Sequence, residues 1–544
     1  MESRKYPYFT MTPLPHPPTS VSSAAAGFKS LALLCILGAG LAGLSARAAD
    51  SDPVVIVTGG SIRGRLLPEG RGRVFKGIPF AQPPVGQLRW REPRPVVAWT
   101  GIRDAGESGP PAAQAAFGWN DQAASASRED CLYLDVWTPT TLAQVRQPVM
   151  VWLHGGGNVA GAGGSDPLYD GTALINHGVV LVVVEYRLGI FGFFAHPELT
   201  RESLHHAAGN YEILDQIAAL QWVRSNIAKF GGDPANVTLF GQSAGSLDAL
   251  ALLASPLSRG LFHRAIAESG APAGSGIQTL AQAEAAGMRA AEKLHAPAQI
   301  ALPWLRSLPP ADLLKIETGI GPFIADGWVF PAYSTEVLAA GSGHAVPLII
   351  GSNAVEFPVA GSPDDLKAVV RKTFKDLAPK ALALYGLAGD TRPATPDPLY
   401  GDVADQLGSD LFRCPAVIQG EWHSAAGNPV WEYEFARAIP PHPRVGHSGD
   451  LPYVFGNLSA KGSQGGDFQE ADRKLSAIMQ TYWTNFAKTG NPNGPGLPFW
   501  PKYDGHARRY LEFTTTAAIA VSENQRGPFC DLFRELFNRP AAGR

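Results

Sequence analysis

The pentapeptide Gly-Gln-Ser-Ala-Gly at residues 241–245 constrains the fold of this chain more than any other feature. A short apolar run at 237–240 precedes it and residues 246–254 have helical character, so Ser243 lies on a strand-to-helix turn. Such a turn brings the backbone on either side of the serine close together, which only small residues tolerate, and exposes the hydroxyl above the sheet. The pattern predicts a nucleophile elbow; in a chain with 60 glycines, a flexible Gly/Ser loop is the alternative.

Apolar runs and helical segments alternate along most of the chain. The runs consist mainly of Val, Ile and Leu, which is typical of strands covered on both faces. We therefore expect an α/β fold with a mostly parallel sheet. No internal repeat or domain boundary follows the N-terminal segment, so residues 49–544 are expected to form a single domain. The strand-like runs are at 54–57, 149–153, 179–184, 237–240, 348–350 and 431–435, and the clearest helical segments are at 212–230 and 280–294.

Composition and charge fit a soluble globular protein. Hydrophobic residues make up 45% of the chain, charged residues make up 17%, and the net charge is -3. Lysine and arginine form no basic run and no stripe interleaved with aromatic residues, so nucleic acid is not an expected partner.

The N-terminal segment has the pattern of a secretory signal. Lys29 precedes an apolar run at 31–44 that is too short to span a bilayer comfortably. Residues 46–48 then match the small-x-small pattern of a signal peptidase site. We predict a signal peptide over residues 1–48, with cleavage near Ala48, and a secreted or periplasmic mature protein. A large residue precedes the cysteine of this segment, so no lipid anchor is expected. Stable membrane insertion is not expected after the signal is removed.

A second glycine cluster, His-Gly-Gly-Gly at 154–157, directly follows the strand-like run at 149–153. Successive glycines allow the backbone to bend so that several N–H groups converge on one point, as a developing oxyanion requires. The N–H of Ala244, just after the candidate nucleophile, would be a further donor. A phosphate-binding loop is the alternative, but the Walker lysine and the Gly-x-Gly-x-x-Gly spacing are both missing.

A serine nucleophile needs a general base, and the base needs a carboxylate that fixes its tautomer. In hydrolases with such an elbow the order along the chain is serine, acid, histidine. Glu356 lies in a loop after the strand-like run at 348–350, although an ordinary surface glutamate is the alternative. His447, in a glycine-flanked loop before a buried apolar segment, is the leading candidate for the base. The other late histidines stay open at this point; they are His423, His442 and His506.

A series of further motifs accompanies these residues from about residue 53 to residue 537. In order they are FKGIPFA (75–81), EDCLYLDVW (129–137), HGGG (154–157), YRLG (186–189), GNY (209–211), FGGDP (230–234), GQSAG (241–245), GLFHRAI (260–266), GSN (351–353) and LPYVF (451–455). With this series the chain resembles the type B carboxylesterases, the carboxylesterase and cholinesterase family of α/β-hydrolases. The resemblance implies an α/β-hydrolase fold: one catalytic domain with a large, mostly parallel central sheet flanked by helices. Helical excursions over the active site are expected at 271–341 and 357–406.

The resemblance also implies roles for individual residues. It implies a carboxylic ester hydrolase that forms an acyl-serine intermediate, takes a small-molecule ester as its substrate and needs no metal or organic cofactor. Carried over position by position, the catalytic triad is Ser243, Glu356 and His447, and the oxyanion-hole donors are the backbone N–H groups of Gly156, Gly157 and Ala244.

Cysteine pairing is a further consequence of the resemblance. An oxidising compartment allows one disulfide among the three cysteines that follow the predicted signal, and spacing alone does not assign it. In the family a cysteine before a proline pairs with one near the C-terminus, which implies a disulfide between Cys414 and Cys530. Cys131 matches a family cysteine whose usual partner has no counterpart here, so a free, buried thiol is expected.

Several positions near the expected site depart from the family pattern. Gln242 replaces the acidic residue that precedes the nucleophile in cholinesterases, which disfavours cationic choline esters. Trp119 lies in a loop similar to the one that supplies the choline-binding aromatic residue in cholinesterases. We expect Trp119 either to bind substrate or to be a partly buried packing residue. Asn158 follows the oxyanion glycines at a position where the family commonly has an aromatic residue. Glu185 precedes Tyr-Arg at a position where the family usually has asparagine. Asp450 follows the histidine at a position where the family usually has glutamate.

Two rival functions would use the same fold. One is a noncatalytic adhesion or binding protein, because some family members have lost the serine; an intact Ser243, Glu356 and His447 argue against it. The other is a specialised lipase or an amidase that uses the same catalytic groups.

Overall fold

A computed structural model of the chain describes residues 52–139, 145–271, 278–316, 321–389, 396–459 and 467–538. The predicted signal peptide lies outside these residues, as do parts of both predicted excursions. Within the described ranges, no helix is long and apolar enough to cross a membrane.

Sixteen strands are present in these ranges. They are β1 (Val54–Val57), β2 (Gly60–Arg63), β3 (Arg65–Leu66), β4 (Arg73–Pro79), β5 (Ile102–Asp104), β6 (Tyr133–Thr138), β7 (Gln147–Leu153), β8 (Val180–Val184), β9 (Gly232–Gln242), β10 (Arg264–Glu268), β11 (Gln278–Thr279), β12 (Ile324–Ala325), β13 (Leu348–Asn353), β14 (Val430–Phe435), β15 (Arg509–Phe513) and β16 (Ile519–Glu523).

Eleven of these strands form one sheet, in the order β16-β15-β14-β13-β10-β9-β7-β8-β6-β4-β3. The pairs from β15 through β8 are parallel, whereas β16 at one edge and β6, β4 and β3 at the other pair antiparallel. The expected large, mostly parallel sheet is therefore confirmed. One expectation is wrong in part: Val54–Val57 is a strand, but it belongs to a separate three-stranded sheet, where it pairs antiparallel with β2.

The central strands are apolar on both faces because each face packs against a separate layer of helices. On β7, Val149, Val151 and Leu153 enter one hydrophobic cluster, and the alternate residues Met150 and Trp152 enter another. All five are essentially inaccessible to solvent. Side chains alternate across a strand, so a run without polar residues is required wherever both faces are covered.

The helices lie on both sides of this sheet and in the excursions. They are α1 (Asp121–Ala126), α2 (Thr172–Ile175), α3 (Gly189–Phe193), α4 (Pro197–Glu202), α5 (Tyr211–Asn226), α6 (Ala244–Ala254), α7 (Leu280–Lys293), α8 (Ala301–Ser307), α9 (Pro310–Leu313), α10 (Ser334–Ala339), α11 (Pro363–Phe374), α12 (Ala378–Leu384), α13 (Val403–Ala425), α14 (Leu451–Phe455), α15 (Glu470–Thr489) and α16 (Gly527–Phe537). Helices α7 to α10 lie in the first predicted excursion, and α11, α12 and the first residues of α13 lie in the second.

A disulfide joins two of these helices. Cys414 on α13 is bonded to Cys530 on α16, as the family resemblance implies. The bond lies inside a third hydrophobic cluster, formed by α11, α12, α13 and α16. Cys131 is a free, buried thiol, also as expected.

Candidate active site

The turn between β9 and α6 has the geometry of a nucleophile elbow. Ser243 lies between the two elements with φ 56° and ψ −122°, a conformation that an L-residue adopts only under constraint. A Cβ atom at Gly241 would lie 2.4 Å from the Gly245 carbonyl oxygen, and one at Gly245 would lie 2.1 Å from the oxygen of Leu153. Close approach of the backbone therefore requires glycine at both positions.

The glycine loop after β7 packs against this elbow. Gly156 and Gly157 have φ values of 120° and 68°, which L side chains rarely adopt. A Cβ atom at Gly155 would lie 2.9 Å from the backbone oxygen of Gln242, so the loop and the elbow are in contact. Ala244 is the first residue of α6, and its N–H has no acceptor within the helix. The fold thus brings the loop of Gly156 and Gly157 against the turn that carries Ala244.

Glu356 and His447 meet beside the elbow. Glu356 Oε2 lies 2.5 Å from His447 Nδ1, although the two residues are 91 positions apart in the chain. The other carboxylate oxygen, Oε1, accepts a hydrogen bond of 2.8 Å from the Asn353 N–H. The Glu356 side chain has no exposed surface, and that of His447 is 8% exposed. Because a carboxylate only accepts hydrogen bonds, this contact places a proton on His447 Nδ1.

The other ring nitrogen of His447 faces the elbow. The side-chain amide nitrogen of Gln242, the residue before Ser243, lies 3.1 Å from His447 Nε2. Since Nδ1 carries a proton, Nε2 is an acceptor and the amide donates to it. Gln242 is itself buried. Its neutral amide therefore lies against the candidate base, at the position where cholinesterases have an acidic residue.

Two phenylalanines cover the imidazole of His447. The ring centroid of Phe357 is 4.1 Å from that of His447, and the centroid of Phe412 is 5.2 Å from it. Apolar neighbours exclude water and strengthen the Glu356–His447 contact. Sequence reasoning missed both phenylalanines, because neither belongs to a motif and only their position in space distinguishes them.

The three competing histidines lie elsewhere. His423 Nε2 is 2.7 Å from the Val346 carbonyl oxygen, His442 is half-buried in the loop after β14, and His506 is exposed. In the described part of the chain, no group of three or more His, Cys, Asp or Glu side chains is arranged to hold a metal ion.

Two further carboxyl groups are buried near the Glu356–His447 pair. The Tyr433 hydroxyl donates to Asp450 Oδ2 at 2.9 Å, and the Trp483 indole donates to Glu268 Oε1 at 2.6 Å. Burial, together with the charge of Glu356, raises the pKa of Asp450. Burial, together with Asp450, raises the pKa of Glu268 well above its usual range. Both groups therefore hold a proton more readily than an exposed acid, which limits the negative charge around Glu356.

Asn158 and Trp119 have different surroundings. Asn158 is buried, and its Nδ2 donates to Asp248 Oδ1 on α6 at 2.8 Å, so it anchors the glycine loop from within the protein. Trp119 lies just before α1 and is 48% exposed. Sequence reasoning missed Asp248, since a lone aspartate on a helix has no recognisable pattern.

The chain is similar to proteins of known activity over most of its length. The model of the carboxylesterase family matches residues 51–533. The medium-chain fatty acyl-CoA hydrolase precursor of Anas platyrhynchos is 36% identical, over 92% of this chain and 95% of that protein. Fumonisin B1 esterase from Sphingopyxis macrogoltabida is 35% identical, over 89% of this chain and 90% of that protein.

Solved structures show the same relationship. A thermophilic PNB esterase is 33% identical with a TM-score of 0.77, and the match covers 89% of this chain and 100% of that chain. Another PNB esterase structure is 32% identical with a TM-score of 0.77, over 89% of this chain and 99% of that chain.

Proposed function

The chain belongs to the carboxylesterase family and is a carboxylic ester hydrolase, and we propose that it cleaves esters through an acyl-enzyme formed on Ser243. In this proposal His447 is the general base and Glu356 is the acid of the triad. The observation that carries it is the 2.5 Å contact between Glu356 Oε2 and His447 Nδ1, beside the constrained turn at Ser243. Constrained backbone and buried ionisable pairs are both concentrated at catalytic sites.

Acylation begins when Ser243 Oγ attacks the ester carbonyl carbon. His447 Nε2 accepts the hydroxyl proton, and the imidazolium keeps its Nδ1–H on Glu356. The amide of Gln242 yields its contact with Nε2 to the serine hydroxyl in this step. The ester C–O bond breaks as Nε2 returns the proton to the leaving alcohol. Water then attacks the acyl carbonyl by the same route, which releases the acid and restores Ser243.

The tetrahedral intermediate carries its negative charge on the former carbonyl oxygen. We assign the N–H groups of Gly156, Gly157 and Ala244 as its hydrogen-bond donors. Removing one donor of such a site in other hydrolases costs about 2.7 to 4 kcal/mol of transition-state stabilisation. Backbone donors held by a constrained loop need no reorganisation as the charge develops, which is why three glycines at this position favour the role.

The decisive experiment is burst release of p-nitrophenol from p-nitrophenyl butyrate. Wild-type protein is expected to release about one equivalent per chain before the steady state, because with this activated ester deacylation is expected to be slower than acylation, so that the acyl-enzyme accumulates. Ser243→Ala is expected to abolish the burst. Ser246→Ala is the matched control, since Ser246 Oγ donates to the Gly270 carbonyl oxygen at 2.6 Å and has no part in the chemistry. A well-folded Ser243→Ala variant that keeps the burst would refute the assignment.

Substrate class separates the proposal from its rivals. A noncatalytic binding protein gives no turnover with any ester. An amidase would hydrolyse a p-nitroanilide better than the ester of the same acid, and a specialised lipase would be activated by an oil–water interface. We expect the ester to be preferred and the rate to be independent of an interface.

Export and a single catalytic domain over residues 49–544 complete the proposal. The disulfide between Cys414 and Cys530 supports an oxidising compartment, because such bonds are rare in cytosolic proteins. N-terminal sequencing of protein recovered outside the cytoplasm is expected to begin near Ala49. Recovery of the active protein with residues 1–48 still attached would contradict cleavage.

A further inference from the structure

The side chain of His154, the first residue of the glycine loop, is buried behind the proposed oxyanion hole. It has no exposed surface, and its ring stacks on that of Tyr186 with centroids 4.4 Å apart. The Tyr186 hydroxyl also donates to the His154 carbonyl oxygen at 2.5 Å. The ring and the backbone of His154 are therefore both held in place.

A hydrogen bond from this ring sets the direction of one peptide group. His154 Nδ1 lies 2.8 Å from the Gly155 carbonyl oxygen, and because a carbonyl only accepts, Nδ1 is the donor. The peptide between Gly155 and Gly156 is planar and trans, so its N–H points opposite to its C=O. Holding the carbonyl toward His154 therefore directs the Gly156 N–H to the opposite side of the loop.

The second ring nitrogen of His154 faces a carboxylate. Its Nε2 lies 3.6 Å from Glu185 Oε1 and has no hydrogen-bond partner among the described residues. Glu185 is itself fixed, by the Ala112 N–H at 3.1 Å and by the Gly163 N–H at 2.7 Å. A neutral ring would place the Nε2 lone pair against a buried carboxylate, whereas an imidazolium forms an ion pair with it. The geometry therefore favours the charged ring.

Acidic groups from three elements interact electrostatically with His154: Glu185 after β8, Asp248 on α6 and Asp166 in the loop after the glycine cluster. Burial acts to lower the pKa of His154, but Glu185, the Gly155 carbonyl and Asp248 act against it and leave that pKa raised. Burial raises the pKa of Asp248 to about 6, so this group is ionised at neutral pH.

We propose that His154 is an imidazolium in the working enzyme, and that Glu185 keeps it charged and so acts as a positioning residue for the Gly156 N–H. This inference rests on the proposed function of the same site. A charged Nδ1–H polarises the Gly155 carbonyl more strongly than a neutral one, which makes the N–H of the same peptide a better donor to the oxyanion. Asparagine, the usual residue of the family at position 185, carries no charge that would favour the imidazolium.

The test compares pH profiles of kcat and KM for p-nitrophenyl butyrate from about pH 5 to about pH 10. In the wild type, kcat is expected to fall at alkaline pH, where His154 loses its proton. In Glu185→Gln this fall is expected at least about one pH unit lower. At neutral pH kcat should drop about tenfold while KM changes less than about twofold, because the lost interaction acts in the transition state. Glu185→Asp retains the charge and should keep the alkaline limb near its wild-type position.

Glu129→Gln is the matched control. It removes the carboxylate of another buried ion pair, with Arg89 at 2.6 Å, away from the glycine loop. It is expected to lower stability without moving the alkaline limb. A Glu185→Gln enzyme with unchanged kcat and an unchanged limb would overturn the inference.

A second measurement does not depend on the variant folding. In wild-type protein labelled with [15N]histidine, His154 is expected to show two protonated ring nitrogens at neutral pH; a neutral ring there would overturn the inference. Failure of the proposed function looks different. It would appear as wild-type protein without a burst on Ser243, whatever the charge of His154.

Discussion

The proposed triad acid, Glu356, is the most sharply testable part of the site, through the substitution Glu356→Gln. Glu356 Oε1 accepts the Asn353 N–H at 2.8 Å, while Oε2 faces His447 Nδ1 at 2.5 Å. In the glutamine variant the carbonyl oxygen is retained where the Asn353 N–H needs an acceptor. The amide NH2 group then points at His447 Nδ1. Because NH2 only donates, the imidazole must accept at Nδ1 and carry its proton on Nε2.

The wrong tautomer cannot take the proton of Ser243. In this tautomer Nε2 is already protonated. The Nε2–H would also point at the N–H of the Gln242 amide, whose nitrogen lies 3.1 Å from Nε2. The corresponding substitution in a Ser-His-Asp triad lowers kcat about 10⁴-fold. We therefore expect a loss of about 10³ to 10⁴ in kcat, which is about 4 to 5.5 kcal/mol of transition-state stabilisation. KM should change little, since the ester does not contact Glu356.

Single-turnover and steady-state hydrolysis of p-nitrophenyl butyrate measure this effect, with Tm recorded alongside. Glu268→Gln is the matched control, because Glu268 is a buried neighbouring acid that accepts a hydrogen bond from Trp483 and is not a member of the proposed triad. Its kcat should stay within about tenfold of the wild type. If Glu356→Gln keeps more than about a tenth of wild-type kcat at unchanged Tm, the tautomer argument is wrong.

Three further predictions concern stability and specificity. The double variant Cys414→Ala/Cys530→Ala opens a loop that the disulfide closes across 116 residues. The chain-entropy model gives an upper limit of about 5 kcal/mol for the resulting loss of unfolding free energy. Chemical denaturation measures this loss, and an unchanged midpoint would contradict the prediction. Gln242→Glu places a negative charge beside Ser243. The ratio of kcat/KM for butyrylcholine to kcat/KM for the neutral 3,3-dimethylbutyl ester should rise about tenfold. An unchanged ratio would show that this charge does not interact with the alcohol group of the substrate. Burial raises the pKa of Asp135 to about 6. Between about pH 4 and pH 6 this carboxyl is therefore ionised in the unfolded chain and protonated in the folded chain. As the pH rises, the free energy of unfolding is expected to fall by up to about 3 kcal/mol. Urea unfolding of Asp135→Asn should lack this part of the pH dependence, and a slope equal to that of the wild type would count against it.

Local chemistry made the elbow and the glycine loop predictable. The requirement for glycine at 241 and 245 comes from backbone atoms a few residues away and from one neighbouring strand end, so the motif carries most of it. The order of serine, acid and histidine leaves Glu356 and the late histidines as candidates, and the family resemblance assigns His447. The structure places the side chains of Glu356 and His447 in contact. The assignment of these residues to catalysis is a proposal that the kinetic experiments above test.

Pairings between distant segments were not predictable in the same way. Val54–Val57 has the composition of a strand, but periodicity does not identify its partner, and it joined the small sheet. Asn158 departs from the family pattern, and only the packing of the loop on α6 directs its amide to Asp248.

By itself the sequence determined the α/β architecture and the family, because apolar runs, glycine turns and ordered motifs depend on residues that are close together in the chain. The tertiary structure alone decided that Gln242 contacts the candidate base, that two phenylalanines cover it and that Glu185 faces His154. These contacts join residues from separate elements, and their distances follow from how the sheet, the loops and the excursions pack together. The energy of such contacts depends on burial and on distances of a few ångströms, which no local pattern specifies.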